Sequence, residues 1–288
     1  MIGEHDLDAV LLATWPTLHR EQVLGCLEAG VRNILCEKAL ALTGVEALEL
    51  RTAAAEAGAL VVEGYMYRHH PAIERIDELL AAGAVGSLDS VWAAFNMFDP
   101  EEAQPDDPAR DWRQRLECGG GVPYDLACYC VDACNRFAGT RPRQVQAVGG
   151  TSARYRTVDR LFGLIEYDDG LVGGLESSRR ADFNHELRLS GALGNVRLPV
   201  AWRIEGPTEV VVSRSAGWGE FDTEKLPVPA ADPFRLQLER FALAARGEAP
   251  QTPTLDESVL NAVTMDALLV SAAEHTAVPV ELPEALRA

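Results

Sequence analysis

The sequence predicts an α/β chain: part of a doubly wound parallel sheet, followed by a larger α+β domain rich in strands. Two textures carry that expectation. From Leu7 to about Tyr67 short apolar runs alternate with amphipathic segments of helical period, the pattern of strand–helix–strand units with a parallel sheet. Beyond a further helix, strand-like segments follow one another, and the Asp-Gly turn in "YDDGLV" makes one neighbouring pair a hairpin.

Element by element, "DAVLLAT" reads as a first strand that runs into a helix through "HREQVLGCLEAG". "NILCE" is a second strand, and a helix opens at Thr43, where Thr43 and Glu46 have capping-box spacing. "ALVVEGY" is a third strand, and "PAIERIDELLAAGAVG" a helix. Strands then fall on "SLDSVWAAFNMF", "QVQAVGG", "LFGLIEY", "LVGGLESS" and "ELRLSGALGNVRL". The helices "DPFRLQLERFALAARG" and "TLDESVLNAVTMDALLVSAAEH" come last. The first three strands match the second half of a doubly wound domain, whose usual strand order is 3-2-1-4-5-6. No G-x-G-x-x-G sits between a strand and a helix to cradle a pyrophosphate, and the triplet Gly119, Gly120, Gly121 follows a loop. In that order "AVLLA" is left as an uncharged edge strand.

With 47% hydrophobic and 24% charged residues over 288 positions, the chain has a globular balance. Its 44 acidic against 26 basic residues give a net charge of -18, which repels a phosphate backbone and an anionic lipid surface. Nucleic acid and membrane are therefore not expected partners. No apolar run reaches the roughly eighteen residues of a membrane span, and the N-terminus lacks a signal-peptide pattern, so a cytoplasmic location is expected. Cys128, Cys130 and Cys134 lie close in sequence, but positions two apart on a helix point about 200° apart, so no metal site is expected. Disulfides are disfavoured in that compartment.

Lys38, in "ILCEKAL", falls at the carboxyl end of the second strand, the edge where open α/β sheets bind ligands. On position alone a solvated surface lysine is the better reading, because most lysines are exposed. "GGGVPYDLACYCVD" places Asp125, Tyr129 and Asp132 on one face of a predicted helix, a spacing that an ordinary amphipathic helix with a core tyrosine also gives.

Taken in order, "LLAT", "LCEKAL", "GYMYRHHP", "GSLDSV", "GGGVPYDLACYCVD" and "DPFRLQLERFALAARG" resemble the Gfo/Idh/MocA oxidoreductases over nearly the whole chain. The resemblance implies the C-terminal half of a Rossmann-type dinucleotide-binding domain over 1–66 and a substrate and oligomerisation domain over 67–288. The second would be built on a large, mainly antiparallel open sheet, with the last helices packing back on the first domain. It implies hydride transfer between NAD or NADP and a sugar, polyol or related secondary alcohol, in a homodimer or homotetramer. Lys38 matches the lysine of the family's Glu-Lys-Pro motif, Tyr129 its acid/base position, and Asp125 its aspartate beside the reacting groups. Thr14, Trp15, His19 and Glu37 are implied on the cofactor side, and Arg68, His69 and Arg113 on the substrate side. Two motifs depart from the family: Glu37-Lys38-Ala39 lacks the proline, and Ala13-Thr14-Trp15-Pro16 stands for Ala-Thr-Pro-Asn.

The chemistry is coherent. Hydride loss from an alcohol carbon must be matched by proton loss from its oxygen, and a phenol is a poor base at neutral pH unless a cation favours its anion. The edge position of "AVLLA" and the absent glycine loop suggest that Met1 is an internal methionine of a longer protein. The alternative is a shortened homologue that works without a dinucleotide, either by redox-neutral proton transfer of the epimerase or lyase kind or as a non-catalytic binding subunit.

Overall fold

The structure, a computed structural model, describes residues 7–98 and 112–286. Its first unit is a three-stranded parallel sheet of β1 (Val10–Leu12), β2 (Asn33–Glu37) and β3 (Leu60–Gly64), in that order. Helices α1 (Pro16–Glu28) and α2 (Gly44–Ala57) make the crossovers. β2 is central, and Ile34, Leu35 and Cys36 are fully buried, as a strand covered on both faces requires. β1 pairs with β2 alone among the described residues, and Leu11 is 52% exposed there. Pro16 starts α1, where its missing N–H is not needed. Thr43 caps α2 by accepting from the Glu46 amide at 3.2 Å. Only half of the expected capping box forms, because the Glu46 carboxylate takes the Leu42 amide instead, at 2.9 Å.

A 3-10 segment (Met66–His69) and α3 (Pro71–Ala81) lead to β4 (Leu88–Asn96) in the second sheet. α4 (Cys128–Ala138) follows, and then come β5 (Pro142–Thr151), β6 (Val158–Tyr167), β7 (Val172–Ser178), β8 (Leu187–Gly191) and β9 (Gly194–Leu198). The hairpin of β10 (Thr208–Gly217) and β11 (Glu220–Val228), the helices α5 (Pro233–Ala245) and α6 (Leu255–Glu274), and the short β12 (Val278–Pro279) complete it. The nine strands are ordered β11-β10-β9-β8-β4-β7-β6-β5-β12, and only β4 and β7 run parallel. The fold class is thus the predicted one. The β6–β7 turn forms at Asp169–Gly170, with Gly170 at φ +89 and its amide bonded to the Tyr167 carbonyl at 3.0 Å.

Sequence reading misses the β10–β11 hairpin. β11 is exposed at nearly every position and carries charges throughout, so no apolar alternation marks it. "ELRLSGALGNVRL" resolves into two strands, β8 and β9, which turn at Gly191–Gly194.

α4 packs across β4 and β7, and α5 and α6 pack on β3, α6 also on α2. The Gly44 amide at the start of α2 donates to Asp266 on α6 at 2.7 Å, and Gln251, before α6, to the Val61 carbonyl of β3 at 2.6 Å, which fastens the first unit to α6 and the segment that precedes it. No helix among the described residues is long and apolar enough to cross a membrane.

Candidate active site

The carboxyl end of β2, the entry to α4, the inner face of β4 and the start of α5 enclose a cleft of about 1110 Å³. Glu37 and Lys38 reach it from β2, Asp125 and Tyr129 from the α4 side, and Phe95 from β4. Met66, Arg113, Arg179, Trp202 and the Asp232–Phe234 segment are also part of its wall.

Tyr129 and Asp125 arrive there by a winding the sequence did not announce. Gly121, at φ +108, turns the chain into a π-helical turn, Pro123–Ala127, and α4 begins only at Cys128. The glycine triplet before it is a close-packing device. A side chain on Gly120 would sit 2.6 Å from the Arg113 carbonyl oxygen, and the Gly120 and Gly121 amides donate to the Arg115 and Arg113 carbonyls at 2.8 and 2.7 Å. Those amides are used up and cannot cradle a phosphate.

Lys38 donates to the Asp125 backbone carbonyl at 2.7 Å and to its carboxylate at 3.3 Å, between positions 87 apart in sequence. The same carboxylate takes the Arg179 guanidinium at 2.5 Å, and Arg113 lies 3.4 Å away. Burial pushes the Asp125 carboxyl up, but Lys38, Arg179 and Arg113 outweigh it and hold the group below the usual carboxylate range. Burial likewise works against the Lys38 charge, but the anionic forms of its neighbours, of which the Asp125 carboxylate is the one present at neutral pH, outweigh it, so the amine stays protonated.

Tyr129 departs from expectation. The Lys38 ammonium sits over the ring, 4.9 Å from its centroid, and the phenol donates instead to the Met66 sulfur at 3.4 Å. Tyr65, Phe95 and Trp202 surround the ring at centroid distances of 5.5, 5.4 and 6.0 Å. Burial in that aromatic cage pushes the phenol up from its ordinary value, and Lys38 offsets only part of the rise. Lys38 does favour the phenolate, as expected, but burial outweighs it and the net shift is upward. At neutral pH the group is a neutral phenol, a proton donor.

Of the other residues singled out from sequence, Glu37 and Arg113 line the cleft. Arg68 does not. Its guanidinium, 2% exposed, is bound to Asp132 at 2.6 and 2.8 Å and to Glu257 at 2.7 Å, which leaves it no reach to a substrate. Asp132, on the predicted Asp125–Tyr129 face, is spent on that pair and on Tyr67 and Asn261. His69 lies near Arg68, Arg240 and Arg136, away from the cleft wall, and burial with those charges pulls it down to about 4. His19 is buried behind the Lys38 turn, its ring nitrogens 2.8 Å from the Ala39 carbonyl and 3.2 Å from that of Thr14. It ties two strand-end loops together. Thr14 and Trp15 are exposed beyond β1, outside the cleft wall, with Thr14 bonded to Gln22 and Trp15 near Arg115. Arg179 is the site residue that sequence reasoning missed. Its signal was a basic pair directly after the strand "LVGGLESS".

The six cysteines are all buried as free thiols. No group of three or more metal-ligating side chains gathers among the described residues.

A ligand-binding edge at the carboxyl ends of a parallel sheet, joined to a cleft with a lysine and a phenol, is an arrangement on which dinucleotide-dependent oxidoreductases can be built. Residues 1–65 match the NAD-binding Rossmann-fold oxidoreductase family GFO_IDH_MocA, and residues 73–197 match the GFO/IDH/MocA C-terminal domain. The chain belongs to this family of NAD(P)-dependent oxidoreductases. It is 32% identical to D-xylose 1-dehydrogenase (NADP(+)) 2 of Haloferax volcanii, over 98% of this chain and 83% of that protein. It is 30% identical to the trans-1,2-dihydrobenzene-1,2-diol dehydrogenase of Mus musculus, over 72% of this chain and 59% of that one. Among solved structures it resembles KijD10, a 3-ketoreductase from Actinomadura kijaniata in complex with NADP and TDP-benzene. The TM-score is 0.80 at 26% identity, over 94% of this chain and 80% of that one.

Glu37 and Lys38 stand at the carboxyl end of β2, the edge where open α/β sheets bind ligands, and both line the cleft. The β1–α1 turn, Ala13-Thr14-Trp15-Pro16, carries no glycine, and Pro16 removes one amide from the helix start, so that turn provides no pyrophosphate cradle.

Proposed function

We propose that the protein interconverts a sugar, polyol or related secondary alcohol and its carbonyl form, with Tyr129 as the acid/base group and Lys38 as its cationic partner. The observation that supports this most is the meeting of Lys38 with Asp125 and Tyr129 in one buried-walled cleft, from segments far apart in sequence. The bound nicotinamide would supply or accept the hydride at the substrate carbon, with Lys38 and Glu37 beside its ribose. In the reducing direction the carbonyl carbon gains a hydride and the oxygen gains the Tyr129 phenol proton. The phenol is poised for this, because its present acceptor is the weak thioether of Met66 and a carbonyl oxygen is a better one. As charge develops on that oxygen, the Lys38 ammonium stabilises both it and the phenolate left behind. Asp125, anchored by Arg179 and Arg113, fixes the amine.

Nicotinamide absorbance with NADPH, NADH and their oxidised forms, against a panel including D-xylose and a trans-1,2-dihydrodiol, tests the reading. Net cofactor turnover with one of them is expected. Solvent-proton exchange at a substrate carbon with no change in cofactor absorbance would contradict it in favour of redox-neutral chemistry.

One face of the open sheet supports the expected assembly. Val148 and Phe162 are directly paired across β5 and β6 and are 61% and 40% exposed, with Leu164 and Val172 nearby at 48% and 38%. An apolar stretch on one sheet face suits a second copy of the chain. Light scattering is expected to give a homodimer or larger even oligomer at micromolar concentration, and Phe162→Asp to shift it toward monomer. A monomeric parent protein would contradict this.

A further inference from the structure

The turn that carries Lys38 is gripped from two sides. His19 meets the Ala39 carbonyl, and the Leu40 amide donates to Glu63 Oε1 at 2.8 Å. Glu63 is the penultimate residue of β3, 3% exposed, and lies beside Cys36 in the register of β2 and β3. A buried carboxyl group at a strand end, used only to hold a backbone amide, is an expensive way to close a loop. Its second oxygen, Oε2, is buried with no hydrogen-bond partner. So is the hydroxyl of Ser258 on α6, which is 3% exposed. Both residues line a small cavity of about 20 Å³, walled otherwise by Leu40, Tyr65 and Asn261 among others. A void of that size holds one water, which needs about 10–15 Å³ and at least two polar partners.

We propose that Glu63 is the positioning residue for Lys38: one carboxylate oxygen holds the Leu40 amide and so the Lys38 turn, while the other faces the Ser258 hydroxyl across the small cavity. This rests on the reading of Lys38 as a group of the reaction centre. Glu63 touches neither substrate nor cofactor and acts only through the turn.

The carboxyl group is also poised to titrate. Burial pushes it up to about 7, helped by Asp132 and opposed by the Leu40 amide, Ser258 and Arg68. The other titratable groups facing it, Cys36 on β2, Tyr65 after β3 and Cys128 on α4, are themselves pushed up and neutral, so none supplies a compensating charge. A carboxyl raised in the folded state above its unfolded value favours folding while protonated. That contribution is present below about pH 4.5 and is lost as pH rises through about 7.

Amide hydrogen exchange resolved at Leu40, run with kinetics on Glu63→Gln and Glu63→Leu, tests the proposal in the full chain. Gln keeps an acceptor for Leu40, and Leu fills the volume without one. Glu63→Leu is expected to speed Leu40 exchange about tenfold relative to the Val61 and Val62 amides, the scale of one lost hydrogen bond, and to lower kcat with KM nearly unchanged. Glu63→Gln is expected to restore both, and to remove the fall in urea midpoint expected of the parent protein between pH 5 and pH 8. Equal Leu40 exchange in Glu63→Leu and the parent protein would overturn the proposal, as would full kcat in Glu63→Leu. Failure of the parent protein itself to turn over would overturn the reaction-centre reading, and the Leu40 exchange is read independently of it.

Discussion

Tyr129→Phe is expected to lower turnover by about a hundredfold or more, the scale of losing a positioned proton donor. Removing one oxygen leaves the aromatic cage of Tyr65, Phe95 and Trp202 intact. The hydrogen bond forfeited is the one to a thioether, so the folded state loses little. The effect should fall on kcat more than on KM, because the phenol proton matters most when negative charge develops on the substrate oxygen. Steady-state kinetics with circular dichroism separates this from unfolding. Near-normal turnover in a folded variant would return Tyr129 to the core as a packing residue.

Arg68→Met is expected to destabilise the protein by about 3–5 kcal/mol, because it leaves the buried Asp132 carboxylate without its guanidinium. Tyr67 at 2.6 Å and Asn261 at 2.6 Å still donate to that carboxylate, but neither brings a charge. The same network continues through Asn261 to Asn135 at 2.9 Å and on to the Tyr167 phenol at 2.9 Å. It joins the 3-10 segment, α4, α6 and β6, so the loss is felt by the whole fold. Urea unfolding followed by tryptophan fluorescence measures it. A midpoint unchanged from the parent protein would mean that the pair is solvated in solution. By contrast, the exposed Arg235–Glu239 pair on α5 is of the kind whose removal changes stability by less than about 1 kcal/mol.

These residues mark how far the sequence could be read. Strand and helix periodicity located the parallel sheet, because strands such as Ile34–Cys36 are apolar without interruption and helices such as α2 carry their caps in the sequence. Lys38 was legible in part from geometry, since a residue just past a parallel strand falls at the ligand edge, but position alone did not separate it from a surface lysine and only the family motif singled it out. Arg68 was not, because a basic residue in "GYMYRHHP" reads the same whether it faces a cleft or a buried carboxylate 64 positions away. The sign of the Tyr129 shift was hidden for a related reason. A lysine nearby in the fold suggests a phenolate, but how completely Phe95, Tyr65 and Trp202 exclude water is settled only when three separate elements close over the ring. The π turn at Pro123–Ala127 was invisible because it changes the winding without changing the composition. Glu63 carried no pattern of its own. It is one acidic residue in an apolar strand, and only the Leu40 amide and the orphaned Ser258 hydroxyl give it a meaning.

The central claim is that Lys38 and Tyr129 work as one unit in one cleft, and a double-mutant cycle on turnover tests it most directly. Lys38→Met, Tyr129→Phe and the double variant are compared with the parent protein under the same substrate and cofactor, with folding checked for each. If the pair acts as a unit, the double variant falls little below the worse single one, by a factor well short of the product of the two single losses. Losses that multiply would contradict the account, since Lys38 and Tyr129 would then contribute independently and the 4.9 Å approach of ammonium and ring would carry no shared chemistry.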